Sequence, residues 1–327
     1  MVFASITRQC DRSLLLALGT AHGVADASAA FLLASLARGR SLLEISLWIL
    51  LYNALAFGAQ AIAGLLVDRA LKPHLAAIGG LLLLAFALPL SGSTPIAAVF
   101  LAGCGSALFH PGGGAIANAL AAGKITELSV FAAPGVVGLA IGGIIGLTQQ
   151  NAIAPFFAAL LLLAGTIALL VSQARFYPHI QSFKGERLLE NREVWIAVLL
   201  GAIALRSAIW NLFQQIYLAR ADLLLALAIA AALGKLLGGF LGDRVGAWRW
   251  TQFALLCALP LLWLGERHFT ALLLGIVLLQ STTPIAWAAM LQVLPDYPAT
   301  ATGLTLGVAI AFGGILFILE PLRTVIP

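Results

Sequence analysis

Long apolar segments separated by short polar connections dominate the chain. A helix that crosses a bilayer needs about 20 mainly apolar residues, and eleven segments meet this requirement. Most connections are so short that neighbouring helices must run antiparallel. The pattern predicts an all-α, polytopic membrane protein with about eleven transmembrane helices. The predicted helices span residues 13–36, 43–67, 73–92, 95–121, 128–148, 152–174, 194–218, 222–242, 249–265, 269–293 and 300–320.

Composition indicates that lipid is the solvent of this chain. Of its 327 residues, 61% are hydrophobic and 9% are charged, with a mean hydropathy of +1.03, whereas soluble domains carry about 25% charged residues. A soluble fold of this length would lack the polar side chains to cover its surface, so the lipid bilayer is an expected partner. We attribute the net charge of +5 to loop placement and expect no nucleic-acid partner. The cysteines are widely spaced, and we expect no metal site or disulfide framework.

One long polar stretch divides the chain into two parts. Residues 175–193 carry seven charged side chains, so we predict a six-helix bundle at 1–174, a cytoplasmic linker at 175–193 and a five-helix bundle at 194–327. Lys and Arg are retained on the cytoplasmic side of a membrane. With a cytoplasmic N-terminus, eleven of the 18 basic residues lie on that side and five on the other. We therefore expect a multi-pass protein of the cell (inner) membrane.

A short motif occurs twice, once in each predicted half. Gly64 begins a segment that ends in Asp68-Arg69 at the close of the second helix, and Gly239 begins one that ends in Asp243-Arg244 at the close of the eighth. The second copy follows the first by 175 residues. Two parallel halves joined by a cytoplasmic loop are a recurring transporter plan, and the repeat favours that plan.

The repeated segments, GLLVDRALK and GGFLGDRVG, resemble the cytoplasmic loop motif of the major facilitator superfamily. Three further segments are similar to the fosmidomycin-resistance branch of its drug exporters: HGVADASAAFLLASL, LFHPGGGAIANAL and ALRSAIWNLFQQIYL. The resemblance implies two bundles that rock about a central site to expose it to each side in turn. It also implies twelve helices, so we expect the twelfth to be missing here.

The resemblance further implies a cytoplasmic gate built from the repeated motif. Its residues are Gly64, Asp68, Arg69, Gly239, Asp243 and Arg244. Each aspartate is expected to face the start of a helix in the opposite half, near Thr300 for Asp68 and near Thr126 for Asp243, with the arginines hydrogen-bonded across the loop. An aspartate near a helix N-terminus is stabilised by about 0.3–1 kcal/mol. The alternative is that these are exposed loop charges that only enforce topology.

Four ionisable residues lie near the centres of predicted helices: His22, Asp26, His110 and Arg206. Because charge at mid-membrane costs about 2.5–3.5 kcal/mol, such residues turn inward and are often functional. We expect a midplane site for substrate or protons, in which Arg206 opposes Asp26 or an anionic substrate group and Asp26 or a histidine titrates. The alternative is a structural Asp26–Arg206 ion pair with both histidines as packing residues. Lys235 is expected to extend toward the cytoplasm rather than to bind substrate.

Glycine and proline predict close packing and helix breaks. The fifth helix carries small residues four apart, at Gly138, Gly142 and Gly146, which is typical of a helix packing face. Breaks are expected where proline interrupts the fourth helix at 111–114 and the tenth at 280–284. Each is either a flexible gate or cavity wall, or a kink that serves helix packing.

These features favour a secondary active transporter. The leading hypothesis is a proton-coupled exporter of a drug or metabolite, acting as a monomer with a small molecule and protons as partners and without a cofactor. The alternatives are a nutrient or metabolite importer of the same fold and a transport-inactive membrane scaffold. An intramembrane enzyme is disfavoured because no nucleophile or metal-ligand pattern accompanies the histidines.

Overall fold

The computed structural model describes residues 2–148, 152–173, 191–217 and 220–313, with side chains from residue 11 onward. The described chain forms eleven helices and no strand. They are α1 (Val2–Ala37), α2 (Leu42–Ala70), α3 (Pro73–Leu90), α4 (Pro95–Ala121), α5 (Ile125–Thr148), α6 (Ile153–Gln173), α7 (Arg192–Ile216), α8 (Ala221–Val245), α9 (Ala247–Leu264), α10 (Phe269–Val293) and α11 (Pro298–Gly313).

The helices agree with the predicted all-α membrane fold. Within the described residues, nine helices are long and apolar enough to cross a membrane, the exceptions being α9 and α11. Large apolar side chains that cover the outer faces of the helices, such as Leu162, Leu256 and Trp263, are exposed, as expected where lipid is the solvent. Most of the predicted linker, residues 175–190, lies outside the described residues. The predicted helical stretch at 314–320 also lies outside them.

The glycine-rich face of α5 packs directly against α1. A Cβ atom added to Gly138 would collide with the backbone of Gly23, and one added to Gly142 would lie 2.6 Å from the Ala27 Cα. In the other half, Gly238 of α8 meets the backbone of Ser281 in α10 in the same way. Small residues thus bring backbones together without a side chain between them, which confirms the packing face predicted for α5.

Contacts between the two predicted halves are made mainly by two helix pairs. Helix α5 packs against α8, and α2 packs against α11. Both α2 and α11 contain a wide π-helical turn, at Ala54–Gly58 and Leu304–Val308, and these turns lie against each other. Gly307 allows this approach, because a Cβ there would lie 2.6 Å from the carbonyl oxygen of Phe57.

The two predicted helix breaks have different outcomes. Helix α10 is interrupted at Thr282, between its two parts Phe269–Ser281 and Thr283–Val293, as the proline at 284 predicts. Helix α4 continues through Pro111 as one helix, so the break expected there is wrong. The glycines that follow Pro111 are buried against neighbours. For example, a Cβ on Gly112 would lie 2.7 Å from the Ala77 nitrogen of α3, so these glycines serve close packing.

The glycine face of α5 yields a matched pair of substitutions. Gly142→Ala forces a methyl group against Ala27, and overpacking of this kind costs about 1–3 kcal/mol. The neighbouring Gly143→Ala is the control, because nothing lies within 4 Å of its added Cβ. We expect Gly142→Ala to lower the unfolding temperature in detergent and Gly143→Ala to leave it unchanged or raise it. Equal stability of the two variants would contradict this packing.

Candidate functional site

Three buried side chains from two helices form the centre of the site. His22 and Asp26 lie one turn apart on α1, and His110 reaches them from α4. Their exposed fractions are 6%, 8% and 3%. One carboxylate serves both rings: Asp26 Oδ2 lies 3.3 Å from His22 Nε2, and Asp26 Oδ1 lies 3.2 Å from His110 Nε2. We call these residues the triad.

The second nitrogen of each ring fixes its protonation. His22 Nδ1 lies 2.8 Å from the carbonyl oxygen of Phe131, and His110 Nδ1 lies 2.8 Å from that of Ser106. Because a carbonyl oxygen only accepts hydrogen bonds, both Nδ1 atoms carry a proton and donate. The Nε2 atoms are then left to face the carboxylate, which in its ionised form also only accepts.

This geometry assigns two extra protons to the triad when all its hydrogen bonds are made. A proton on each Nε2 gives two imidazolium rings and one carboxylate, with every short contact satisfied. Without those protons, ring lone pairs face carboxylate lone pairs in a buried setting, which is costly. The short contacts of the triad are therefore all satisfied only when it holds both extra protons.

The surroundings of the triad include residues that sequence analysis did not assign to a site. The Phe131 ring of α5 lies 4.7 Å from the His22 ring, centroid to centroid. A Cβ on Gly135 would lie 2.5 Å from His22 Nε2 and 2.6 Å from Asp26 Oδ2, so only glycine fits there. The sequence offered a signal for Ser106, four residues before His110. For Gly135 the only signal was its place in a glycine-rich helix.

Two cations from the opposite half lie on the other side of the site. Arg206 of α7 is 9% exposed, and its Nη1 donates to Gln280 Oε1 of α10 at 2.7 Å. The expected pairing of Arg206 with Asp26 is absent from the described structure, because both carboxylate oxygens face histidines. Lys235 of α8 donates to the carbonyl oxygen of Ala132 at 3.1 Å. The expectation that it extends to the cytoplasm is therefore wrong.

The triad is also the one group in the described part of the chain whose ligand atoms could converge on a metal ion, since they lie within 4.8 Å of one another. Each imidazole, however, is paired with a different oxygen of the carboxylate. Two separate imidazole–carboxylate contacts match two protons better than one shared cation.

The two aspartates of the repeated motif cap helices of the opposite half. Asp68 Oδ1 accepts the Ala299 N–H at 2.9 Å, while its Oδ2 accepts the N–H and hydroxyl of Thr300 at 2.8 and 2.7 Å. These donors belong to the first turn of α11, where backbone N–H groups lack partners within the helix. We call this the first cap contact, and it lies where the resemblance places it.

The second cap contact repeats the first with α5. Asp243 Oδ1 accepts the Ile125 N–H at 2.8 Å, and its Oδ2 accepts the N–H and hydroxyl of Thr126 at 2.9 and 2.6 Å. Both contacts place a carboxylate at the positive end of a helix dipole. The repeated motif thus produces the same set of three hydrogen bonds twice.

The glycines and arginines of the motif differ in their roles. A Cβ on Gly64 would lie 2.5 Å from the Ala299 carbonyl oxygen, and one on Gly239 would lie 2.7 Å from the Ser129 Cβ, so both glycines let the helices meet. Arg69 and Arg244 are exposed. Neither donates a hydrogen bond to another described residue, contrary to expectation. Arg244 lies over the Phe240 ring, 4.3 Å from its centroid, where the ring face attracts the cation.

Comparison with known proteins establishes the fold. No family model matches the sequence, and no curated protein matches it. Solved structures, by contrast, are similar to this chain. The chain has the fold of the major facilitator superfamily of transporters. It is similar to the E. coli fucose:proton symporter FucP, with 15% identity over 96% of this chain and 90% of that one and a TM-score of 0.66. FucP in its outward conformation gives 15% identity, 96% and 91% coverage, and a TM-score of 0.67.

The first cap contact predicts a shift in the distance between α2 and α11. In a cysteine-free background, spin labels at Ala70 and Tyr297, both exposed, report the separation of these two helix ends. Asp68→Asn removes the charge that caps α11, worth about 0.3–1 kcal/mol and more when partly buried. We expect a larger fraction of the molecules to have the two labels far apart.

Asp222→Asn is the matched control for this measurement. Asp222 lies in the first turn of its own helix, α8, and its ion pair with Arg220 is exposed and local, so it joins no two helices. We expect the control to keep the parent distance distribution. An Asp68→Asn distribution identical to the parent would show that the cap does not hold the two ends together.

Proposed function

We propose that this chain is a proton-coupled secondary transporter that moves a small molecule by alternating access. The observation that carries the proposal is the triad, in which one buried carboxylate pairs with two imidazoles whose other nitrogens are already bound. Ionisable groups at membrane depth persist where they are paired and functional. The fold is one that transporters use, and FucP, whose structures are similar, is by name a proton symporter.

Release of protons from the triad requires the surrounding helices to move. In the loaded state each imidazolium is held by the carboxylate on one side and a backbone carbonyl on the other. One of those carbonyls belongs to Phe131 of α5. Since the start of α5 is held by Asp243 of the opposite half, displacement of α5 changes both the proton site and the cap contact.

The cap contacts supply the gate in this proposal. Both join the two halves, and both lie at the ends of α2 and α8 that the positive-inside rule assigns to the cytoplasm. With both contacts formed, the cytoplasmic side is closed and the central site opens the other way. Breaking them opens the cytoplasmic side, so the gate residues are Gly64, Asp68, Gly239 and Asp243, with Arg69 and Arg244 as solvated neighbours.

Two directions of transport remain as candidates. Export in exchange for protons is favoured by the local resemblance to fosmidomycin-resistance exporters. Movement of substrate together with protons is favoured by the likeness to a proton symporter and by the charge of the central site, developed below. We further propose a multi-pass protein of the inner membrane, with six-helix and five-helix bundles at 1–174 and 194–327, a cytoplasmic N-terminus and a monomeric working form.

Proteoliposomes test the coupling. Wild-type protein is screened against a panel of metabolites and drugs, with and without an imposed pH gradient, and the compounds that move are carried forward. We expect Asp26→Asn to abolish gradient-driven accumulation, because the carboxylate that holds both imidazolium rings is lost. The same variant should retain exchange of labelled for unlabelled compound across the membrane, which needs alternating access but no net proton movement.

His268→Gln serves as the control for the coupling experiment, since this histidine is exposed at the start of α10. It should accumulate substrate like wild type. Full gradient-driven accumulation by folded Asp26→Asn would overturn the assignment of the triad. Failure of every panel compound to cross with wild-type protein would favour the scaffold alternative.

A further inference from the structure

The wall of the site formed by the second half carries two cations and no acid. Arg206 and Lys235 make no ion pair with any described residue. The described acidic residues of that half all lie near helix ends and are exposed: Glu193, Asp222, Asp243, Glu266 and Asp296. Neutral oxygens from Gln280 and Ala132 are the only described hydrogen-bond acceptors of the two cations. Positive charge therefore exceeds negative charge on this wall, with Arg206 buried and Lys235 half-buried.

Arg206 is held in place with a donor left over. Gln280 Oε1 accepts from Arg206 Nη1 at 2.7 Å and from the Thr283 hydroxyl at 3.0 Å, which fixes the amide that orients the guanidinium. Arg206 Nε is buried and has no partner in the described structure. A buried donor without an acceptor is costly, and buried polar groups of this kind are rare. A fixed, fork-shaped cation with a free donor is the usual means of binding a carboxylate or phosphate-type group.

Lys235 links this wall to the triad. It has electrostatic interactions with Arg206 and Asp26, and also with His22 and His110. The titratable groups that face the site are His22 and Asp26 of α1, Tyr52 of α2, His110 of α4, Arg206 of α7 and Lys235 of α8. The described parts of α5 and α10 add none at this level.

The charge of the site is positive in both protonation states. The unloaded triad contributes a single negative charge from Asp26 against the positive charges of Arg206 and Lys235. Loading both imidazoles makes the triad itself positive, so all three groups then attract an anion. Two ligands that each favour the binding of the other are thermodynamically coupled, and the coupling is reciprocal.

We propose that Arg206 and Lys235 bind the carboxylate or phosphate-type group of a small organic anion, and that the anion and the triad's protons bind together. The co-binding of protons rests on the proton-coupled function proposed above, whereas the anion site does not. Because protons strengthen anion binding at this site, the two move in the same direction as symport. Exchange would require each ligand to weaken the other.

The first test is binding by purified wild-type protein. Thermal unfolding in detergent is followed with acetate, benzoate, methylphosphonate and inorganic phosphate, and with acetamide, benzamide and dimethyl methylphosphonate as uncharged counterparts. We expect at least one anion, and none of the uncharged counterparts, to raise the unfolding temperature in a saturable way. If no anion raises the unfolding temperature more than its uncharged counterpart does, the proposal is overturned. Among the anions that bind, a preference for carboxylate or for phosphate-type groups identifies the substrate class.

Variants localise the binding. Arg206→Gln and Lys235→Gln should each lower the affinity for the anion at least about tenfold, as expected for loss of a charge-assisted hydrogen bond. Arg220→Gln is the control, because that arginine is exposed and paired with Asp222. Arg206→Lys keeps the positive charge but loses the forked donors of the guanidinium. It should lower the affinity for the anion less than Arg206→Gln does. Unchanged affinity in both Gln variants would show that the anion binds elsewhere.

The sign of proton coupling is measured in weakly buffered solution with a pH indicator. Addition of the binding anion should cause proton uptake by wild-type protein and much less uptake by Asp26→Asn. Proton release would overturn symport while leaving the anion site intact. Gradient-driven transport of only uncharged compounds would overturn the anion site while leaving proton coupling intact.

Discussion

The proposed mechanism depends on the sharing of one buried carboxylate by two imidazoles. In a bilayer, an ionisable side chain persists only if its partners compensate for the water it has lost. The partners of Asp26 are His22 and His110. The backbone carbonyls of Phe131 and Ser106 orient the two imidazole rings. The number of protons held by the triad then determines whether its contacts attract or repel. A local change in protonation thereby acts on helices from one bundle.

Helix α5 connects the triad to the contact between the halves. Its Phe131 carbonyl orients His22, its Gly135 leaves space at the triad, and its first turn is capped by Asp243. Its glycine face lies directly on α1, which carries two members of the triad. Because backbones in contact have no side chain to deform between them, a shift of α5 relative to α8 must involve α1. In the proposed mechanism, proton binding and closure of the gate therefore depend on the same group of packed helices.

The sequence predicted the helices well and the partners of individual side chains less well. Hydrophobic segment length specified eleven helices, and the repeated motif with its family resemblance located the contacts at Thr300 and Thr126. Helix periodicity showed that His22 and Asp26 share a face, but it does not give the rotation of one helix against another. For that reason the pairing of Asp26 with Arg206, one of the two partners considered for that arginine, is not the one found. The contact of Lys235 with Ala132 and the need for glycine at position 135 were missed.

Histidine NMR of nitrogen-labelled protein tests the central claim most directly, because it reports the protonation of each ring nitrogen. We expect that, under conditions where the cap contacts are formed, His22 and His110 each show a doubly protonated ring. Both signals should convert to neutral rings in Asp26→Asn, since each imidazolium depends on the shared carboxylate. Neutral rings at both positions in the wild-type protein, at every pH at which it stays folded, would contradict the account.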